Sequence, residues 1–167
     1  VSIAEDSYDM IISFLSLHWI NNIPKYLKKI HSGLKKDGVF LGIFYGGNSL
    51  SQLRSSLLHT DQIYNKIIAR VSPFIEVKNI GMLMQNSGFQ GTVVDSQSLD
   101  IDYADPIRLL KDIKYSGEAN ALINSHRNYF SANYMRTLLE YYKNNLSNQE
   151  GRYPIDVDLI NIIGFKN

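Results

Sequence analysis

The stretch "YDMIISFLSLHWINN", residues 8–22, decides how the rest of the chain is read. From Met10 to Leu17 it is aliphatic, aromatic and β-branched, with no regular alternation of apolar and polar positions. A strand covered on both faces reads this way, and such strands belong mostly to parallel sheets beneath helices. The run passes through His18-Trp19 into Asn21-Asn22, whose side chains suit a helix N-cap, and then into Pro24, which suits a first helical turn. Ile23, Tyr26, Leu27, Ile30 and Leu34 follow at three- and four-residue steps, which predicts a helix with one apolar face. Lys35, Lys36 and Gly38 read as its cationic last turn and its stop. "VFLGIFY", residues 39–45, is a second apolar strand. Strand, helix and strand in this order make a βαβ unit, with parallel strands and a right-handed crossover.

Beyond it, Gly46-Gly47-Asn48-Ser49 breaks the second strand and opens a helix expected over 50–60. Residues 62–73 are ambiguous and end at Pro73, and a short helix over 77–87 closes on Gly88. "GTVVDSQSLDIDY" predicts a strand with one polar face. Asp105-Pro106 opens another helix, a longer one is expected over 129–146, and "VDLINIIGFK" is a last strand. The class is α/β, in a single domain over 1–167, but four strands do not complete a doubly wound sheet. The first strand is as apolar as a central strand, and such a strand left as a free edge offers unpaired backbone groups to any neighbour.

Composition narrows the functions. At 167 residues and 44% hydrophobic the chain can bury one sizeable core. A net charge of +1, with both signs scattered, gives no concentrated basic face for nucleic acid. There is no cysteine, which excludes disulfides, thiolate metal sites and a Cys nucleophile. No apolar run reaches the roughly 18 residues of a membrane span, and the first residues lack a signal-peptide pattern. A cytoplasmic protein is expected. His31, His59 and His126 show no ligand spacing with acids, so no metal site is expected.

"DSYDMIISFLSLHWINNIPKYLKKIHSGLKKDGVFLGIFYGGNSLSQLR", residues 6–54, resembles the fourth-to-fifth-strand region of class I S-adenosylmethionine-dependent methyltransferases. Within that family it is most similar to the branch of the malonyl-acyl-carrier-protein O-methyltransferases and the complex I assembly factor 5 proteins. Ser16-Leu17-His18-Trp19, the Leu34–Gly38 turn, Gly46-Gly47 with Leu50 and Leu53-Arg54 carry the resemblance. So do Ser72-Pro73-Phe74, Gly117-Glu118-Ala119-Asn120 and Ile163-Gly164-Phe165-Lys166. Asn48 departs from it, standing where that branch usually has Asp.

The resemblance implies the C-terminal part of a Rossmann-like sheet, with strands equivalent to the fourth to seventh and inserted helices over 105–150 covering a pocket. The family's first strands, with a glycine-rich loop under the cofactor and an acid on the ribose, have no counterpart here. Residues 10–15 would then expose an edge shaped for cover, by a partner chain carrying the other half or by another copy.

Ligands of open α/β sheets sit beyond the carboxyl ends of the strands, here residues 14–19 and 44–48. By resemblance, Leu15, Ser16 and Leu17 run beside the methionine part of S-adenosylmethionine, and His18 and Trp19 complete the cofactor-binding set. His18 is the catalytic candidate, as general base or polar orienter near neutral pH; a structural histidine capping the next helix is the other reading. Trp19 either stacks on substrate or adenine, or packs the helix onto the sheet.

Gly46, Gly47, Asn48, Arg54, Glu118 and Asn120 are the candidate substrate pocket. Against that stand a plain strand-to-helix turn, a solvated arginine and an ordinary loop. Three functions follow: S-adenosylmethionine-dependent methyl transfer, with weak or no cofactor binding by this chain alone; arginine hydroxylation, to which assembly-factor members are linked; and a non-catalytic module docking a respiratory-complex subunit.

Overall fold

The computed structural model describes residues 3–65, 75–115 and 131–167, which group into two compact units. Of the described residues, the first holds 3–48, 75–98 and 158–167; the second holds 49–65, 99–115 and 131–157.

In the first unit, strand β1 (Tyr8–Phe14) is followed by a 3-10 turn at Leu17–Trp19, helix α1 (Ile23–Gly33) and strand β2 (Leu34–Tyr45). β1 and β2 are parallel, as the βαβ reading requires, with Met10 beside Val39, Ile12 beside Leu41 and Phe14 beside Ile43. Helix α3 (Val77–Asn86) leads into strand β3 (Gln90–Tyr103), of which residues 90–98 belong to this unit, and the chain closes with strand β4 (Tyr153–Phe165), of which residues 158–165 belong to it. The sheet order is β1-β2-β4-β3, and β4 runs antiparallel to β2. Val39 lies beside Phe165 and Leu41 beside Ile163. The last strand is thus inserted next to β2, where chain order alone would not place it.

The α1 signals act as read at the start of the helix and differently at its end. Asn22 Oδ1 accepts from the Lys25 N–H at 3.0 Å, and Pro24 occupies the first turn. The expected Lys35–Lys36 last turn is corrected: α1 stops at Gly33, and Leu34 already extends into β2. Lys35 pairs instead with Asp9 at 2.9 Å, which holds that carboxyl below its usual range. The cation serving the α1 carboxyl end comes from the other end of the chain. Lys166 Nζ donates to Leu34 O at 2.7 Å and Ser32 O at 3.3 Å and pairs with Asp6 at 2.7 Å. An ammonium fits there because the last carbonyls of a helix carry partial negative charge without intrahelical partners.

Leu27 and Ile30 of α1, Ile80 and Met84 of α3, Phe40 and Phe44 of β2 and Ile160 and Ile162 of β4 form the buried core, which Leu17 and Phe89 join. All of them lie on or against one face of the sheet. β1 departs from the expectation of cover on both faces. Ser13 is buried and Ile11 half-buried, whereas Met10, Ile12 and Phe14 are exposed. The apolar run reflects two faces of which only one is packed among the described residues.

In the second unit, α2 (Ser51–Ile63) and α5 (Ala132–Asn145) pack together, with α4 (Pro106–Tyr115) in the same unit. α5 lies within the helix expected over 129–146; residues 129 and 130 are outside the described residues. Tyr134 donates to the Asp61 carboxylate at 2.7 Å, and both are buried. His59 stacks on Tyr141 with ring centres 4.0 Å apart. Tyr142 donates to Pro154 O, and burial and the nearby Asp156 carboxylate push its phenol well above the ordinary range.

α2 starts after Leu50, a non-glycine residue at φ +62°. Its first turn is held by Asp156: Ser51 N–H donates to Oδ1 at 3.0 Å and Ser51 Oγ to Oδ2 at 2.7 Å. No helix among the described residues is long and apolar enough to cross a membrane.

Candidate functional site

The carboxyl ends of β1 and β2 emerge side by side, because the two strands are parallel and in register through Phe14 and Ile43. Just past β1 the backbone does something costly. Leu15 adopts φ +45°, a left-handed conformation that a branched side chain takes at roughly 1–3 kcal/mol. Its N–H still donates to Ile43 O at 2.8 Å, so the ladder runs to this residue and then turns sharply. Backbone outliers of this kind concentrate at ligand sites.

The turn places Ser16, whose carbonyl accepts from the Trp19 N–H at 3.1 Å, at the head of the 3-10 segment. Ser16 Oγ lies 2.9 Å from Ser13 Oγ, which ties the turn to the end of the strand. Leu17 points into the core and is fully buried, so only its backbone is available to a ligand. His18 is half-buried. Its ring centre lies 5.0 Å from Tyr45 in an edge-on arrangement and 5.7 Å from Trp19. Burial pushes the imidazole below its ordinary value, which keeps it neutral at pH 7. The α1 cap is Asn22, which settles the capping role that His18 was given as an alternative. Trp19 is 37% exposed, an indole at the mouth of the two strands.

At the end of β2, Gly46 N–H donates to Asp158 O at 2.7 Å, and Gly46 forms a parallel bridge with Ile75. A Cβ on Gly46 would lie 3.0 Å from the Ile160 side chain, and one on Gly47 3.1 Å from Glu76 Cγ. The glycine pair therefore lets the chain's own segments close in, as a strand-to-helix turn would require. Asn48 is exposed. Arg54 is on α2 in the second unit, where its Nη2 donates to Ser49 O at 3.2 Å. Glu118 and Asn120 lie outside the described residues.

The structure thus brings Leu15–Trp19 together with the end of β2 at Tyr45–Gly46. Tyr45, the aromatic partner of His18, was not singled out from sequence. The signal was available: it is the last residue of a strand whose carboxyl end had already been marked.

Residues 2–94 match the family model described as a methyltransferase domain. A Rickettsia prowazekii protein named as a methyltransferase, RP459, is 42% identical over 141 residues, which are 84% of this chain and 62% of that protein. The mitochondrial arginine-hydroxylase NDUFAF5 of Rattus norvegicus is 34% identical over 163 residues, 97% of this chain and 47% of its own length. The chain therefore spans about half to three-fifths of these relatives. Among solved structures, the YcgJ protein of Bacillus subtilis matches all of this chain and 67% of its own with a TM-score of 0.61, at 15% identity, a likeness of fold. With a family model covering over half its length and a four-stranded sheet of matching fold, the chain belongs to the class I methyltransferase domain family, on the branch that holds the NDUFAF5 arginine hydroxylases and the malonyl-acyl-carrier-protein O-methyltransferases.

Proposed function

We propose that the chain supplies the part of an S-adenosylmethionine site formed by the carboxyl ends of β1 and β2, and that it acts in methyl transfer linked to respiratory-complex assembly. The observation that carries this reading is the left-handed turn at Leu15, which delivers Ser16, a neutral His18 and an exposed Trp19 to one place. The residues present fit one side of such a cofactor. Backbone at Leu15–Leu17 offers close approach, and the Trp19 indole offers an aromatic surface to adenine or to a cation.

When bound, the cofactor supplies a methyl group on a sulfonium. The protein's task is to hold an acceptor in line with it while excluding water, and positioning of that kind supplies much of the rate. His18, uncharged and next to Tyr45, would accept the acceptor's proton or orient it. The glycine-rich loop and ribose-binding acid of the resemblance are not in this sequence, so the reading includes a second segment that completes the site.

A second reading rests on the names of the relatives. Several are arginine hydroxylases, and a neutral imidazole between Tyr45 and Trp19 suits a guanidinium packed on aromatic rings. A third, a docking module for a respiratory-complex subunit with no chemistry of its own, would leave His18 dispensable.

Trp19 is the sole tryptophan, so its fluorescence reports on the site directly. Titration with S-adenosylmethionine, checked by calorimetry, should show little or no binding to this chain alone and micromolar binding once the completing segment is present. Micromolar affinity of the chain alone would overturn the incomplete site; no affinity in the completed complex would overturn the cofactor assignment.

A further inference from the structure

Ser13 is a hydroxyl in an apolar place. It is 5% exposed and pairs with Gly42 of β2, between Phe40 and Phe44, both fully buried. On its own strand it shares the packed face with Ile11, which lies against the core. Burying a hydroxyl costs free energy unless it is hydrogen-bonded, and an apolar side chain at this position would avoid that cost. Packing alone therefore does not explain the residue.

Its hydrogen bond does. Ser13 Oγ lies 2.9 Å from the Oγ of Ser16, three positions on and exposed. Between the two stands Leu15, at φ +45°. Two backbone bonds flank that residue: Leu15 N–H donates to Ile43 O at 2.8 Å, and Trp19 N–H donates to Ser16 O at 3.1 Å. The first ends the ladder and the second begins the turn. The hydroxyl pair joins one to the other across the left-handed residue, which persists only while its surroundings over-determine it. We infer that Ser13 is a positioning residue, whose hydroxyl acts through Ser16 to hold Leu15 left-handed and so sets the Leu15–Leu17 backbone and the Trp19 indole in place before a ligand arrives. The identity of that ligand rests on the S-adenosylmethionine reading above. Ser13 itself lies beneath the site and acts without touching the ligand, the kind of support that keeps a binding constellation rigid.

The two hydroxyls are not equivalent. Ser16→Ala leaves a buried hydroxyl without its partner, whereas Ser13→Ala leaves one that faces water. Ser16→Ala should therefore lower the unfolding midpoint more than Ser13→Ala, and the double variant should lose less than the two single losses added together. Ser13→Ala should also speed amide exchange at Leu15 and Trp19 by about fivefold, the factor that one neutral hydrogen bond represents, and leave amides in the middle of β2 unchanged. Ser87→Ala is the matched control. Ser87 is a buried serine of the same unit, donating to Leu83 O at 2.7 Å, and its loss should cost stability without touching the Leu15 and Trp19 amides. In the chain co-expressed with the part of RP459 outside the 141 shared residues, calorimetry should show S-adenosylmethionine bound about fivefold more weakly by Ser13→Ala and equally well by Ser87→Ala.

The inference is overturned if Ser13→Ala leaves the Leu15 and Trp19 amides as slow as before, or if Ser87→Ala speeds them equally. It is also overturned if the losses of Ser13→Ala and Ser16→Ala simply add, or if the cofactor is bound as tightly without the Ser13 hydroxyl as with it. Local loosening at Leu15 and Trp19 in a complex that binds no S-adenosylmethionine even unsubstituted supports the role of Ser13 and overturns the cofactor reading instead.

Discussion

Phe40 and Ile12 lie on adjacent strands of one sheet, and the fold predicts very different costs for losing them. Phe40 is fully buried, and its ring centre is 5.6 Å from that of Phe89 within the core that α1 and α3 close. Truncating a buried phenylalanine removes its transfer free energy and leaves a cavity, together about 3–5 kcal/mol. That is a large share of the roughly 5–15 kcal/mol that holds a domain folded. Ile12 has only about a third of its surface covered. Full burial of such a side chain is worth roughly 1.5–3 kcal/mol, so Ile12→Ser should cost about 0.5–1 kcal/mol.

Urea unfolding followed by Trp19, which sits in the same unit, reads this difference. For a slope of about 2 kcal/mol per molar, Phe40→Ala should lower the midpoint by roughly 1.5–2.5 M and Ile12→Ser by less than about 0.5 M. Where Phe40→Ala unfolds the chain outright, Phe40→Leu should give an intermediate drop. Equal costs at the two sites would refute the reasoning. They would mean that β1 is slipped by one residue, which turns its whole apolar set to the other face, or that the open face is buried by self-association.

Two further predictions concern a helix start and pH. Asp156→Ala removes both acceptors from Ser51 and should destabilise the first turn of α2 by about 2 kcal/mol, read as faster amide exchange at the start of α2. His18 and His31 are both held below the ordinary imidazole value, His18 by burial and His31 by burial and Lys166, against a hydrogen bond with the Gly88 backbone. Each is therefore neutral in the fold and binds a proton more readily when unfolded. Their contribution is present above about pH 6.5 and is lost as pH falls below it. His18→Gln should flatten the unfolding midpoint between about pH 6.5 and 5 relative to the unsubstituted chain; an unchanged slope would refute the burial argument.

How much of this was legible beforehand differs from element to element. The βαβ unit was, because its signals are local: an apolar run, Asn22 and Pro24 at a helix start, and a second apolar run. α3 was too, closed by Gly88 at φ +101° as its glycine suggested. At the site, the carboxyl-end rule pointed to Leu15–Trp19, and the resemblance pointed to the same residues. It could not show that Leu15 turns left-handed, that Leu17 faces the core, or that Tyr45 is the ring beside His18.

Sequence by itself determined the class of fold, the family and the segment that reaches the strand ends, since each is written in patterns a few residues to a few tens of residues long. Tertiary structure alone decided which groups meet across the chain. Lys166 serves the end of α1, Asp156 holds the start of α2, and β4 inserts beside β2. Those pairings depend on distances that close only when segments more than a hundred residues apart pack together, and no local periodicity records them.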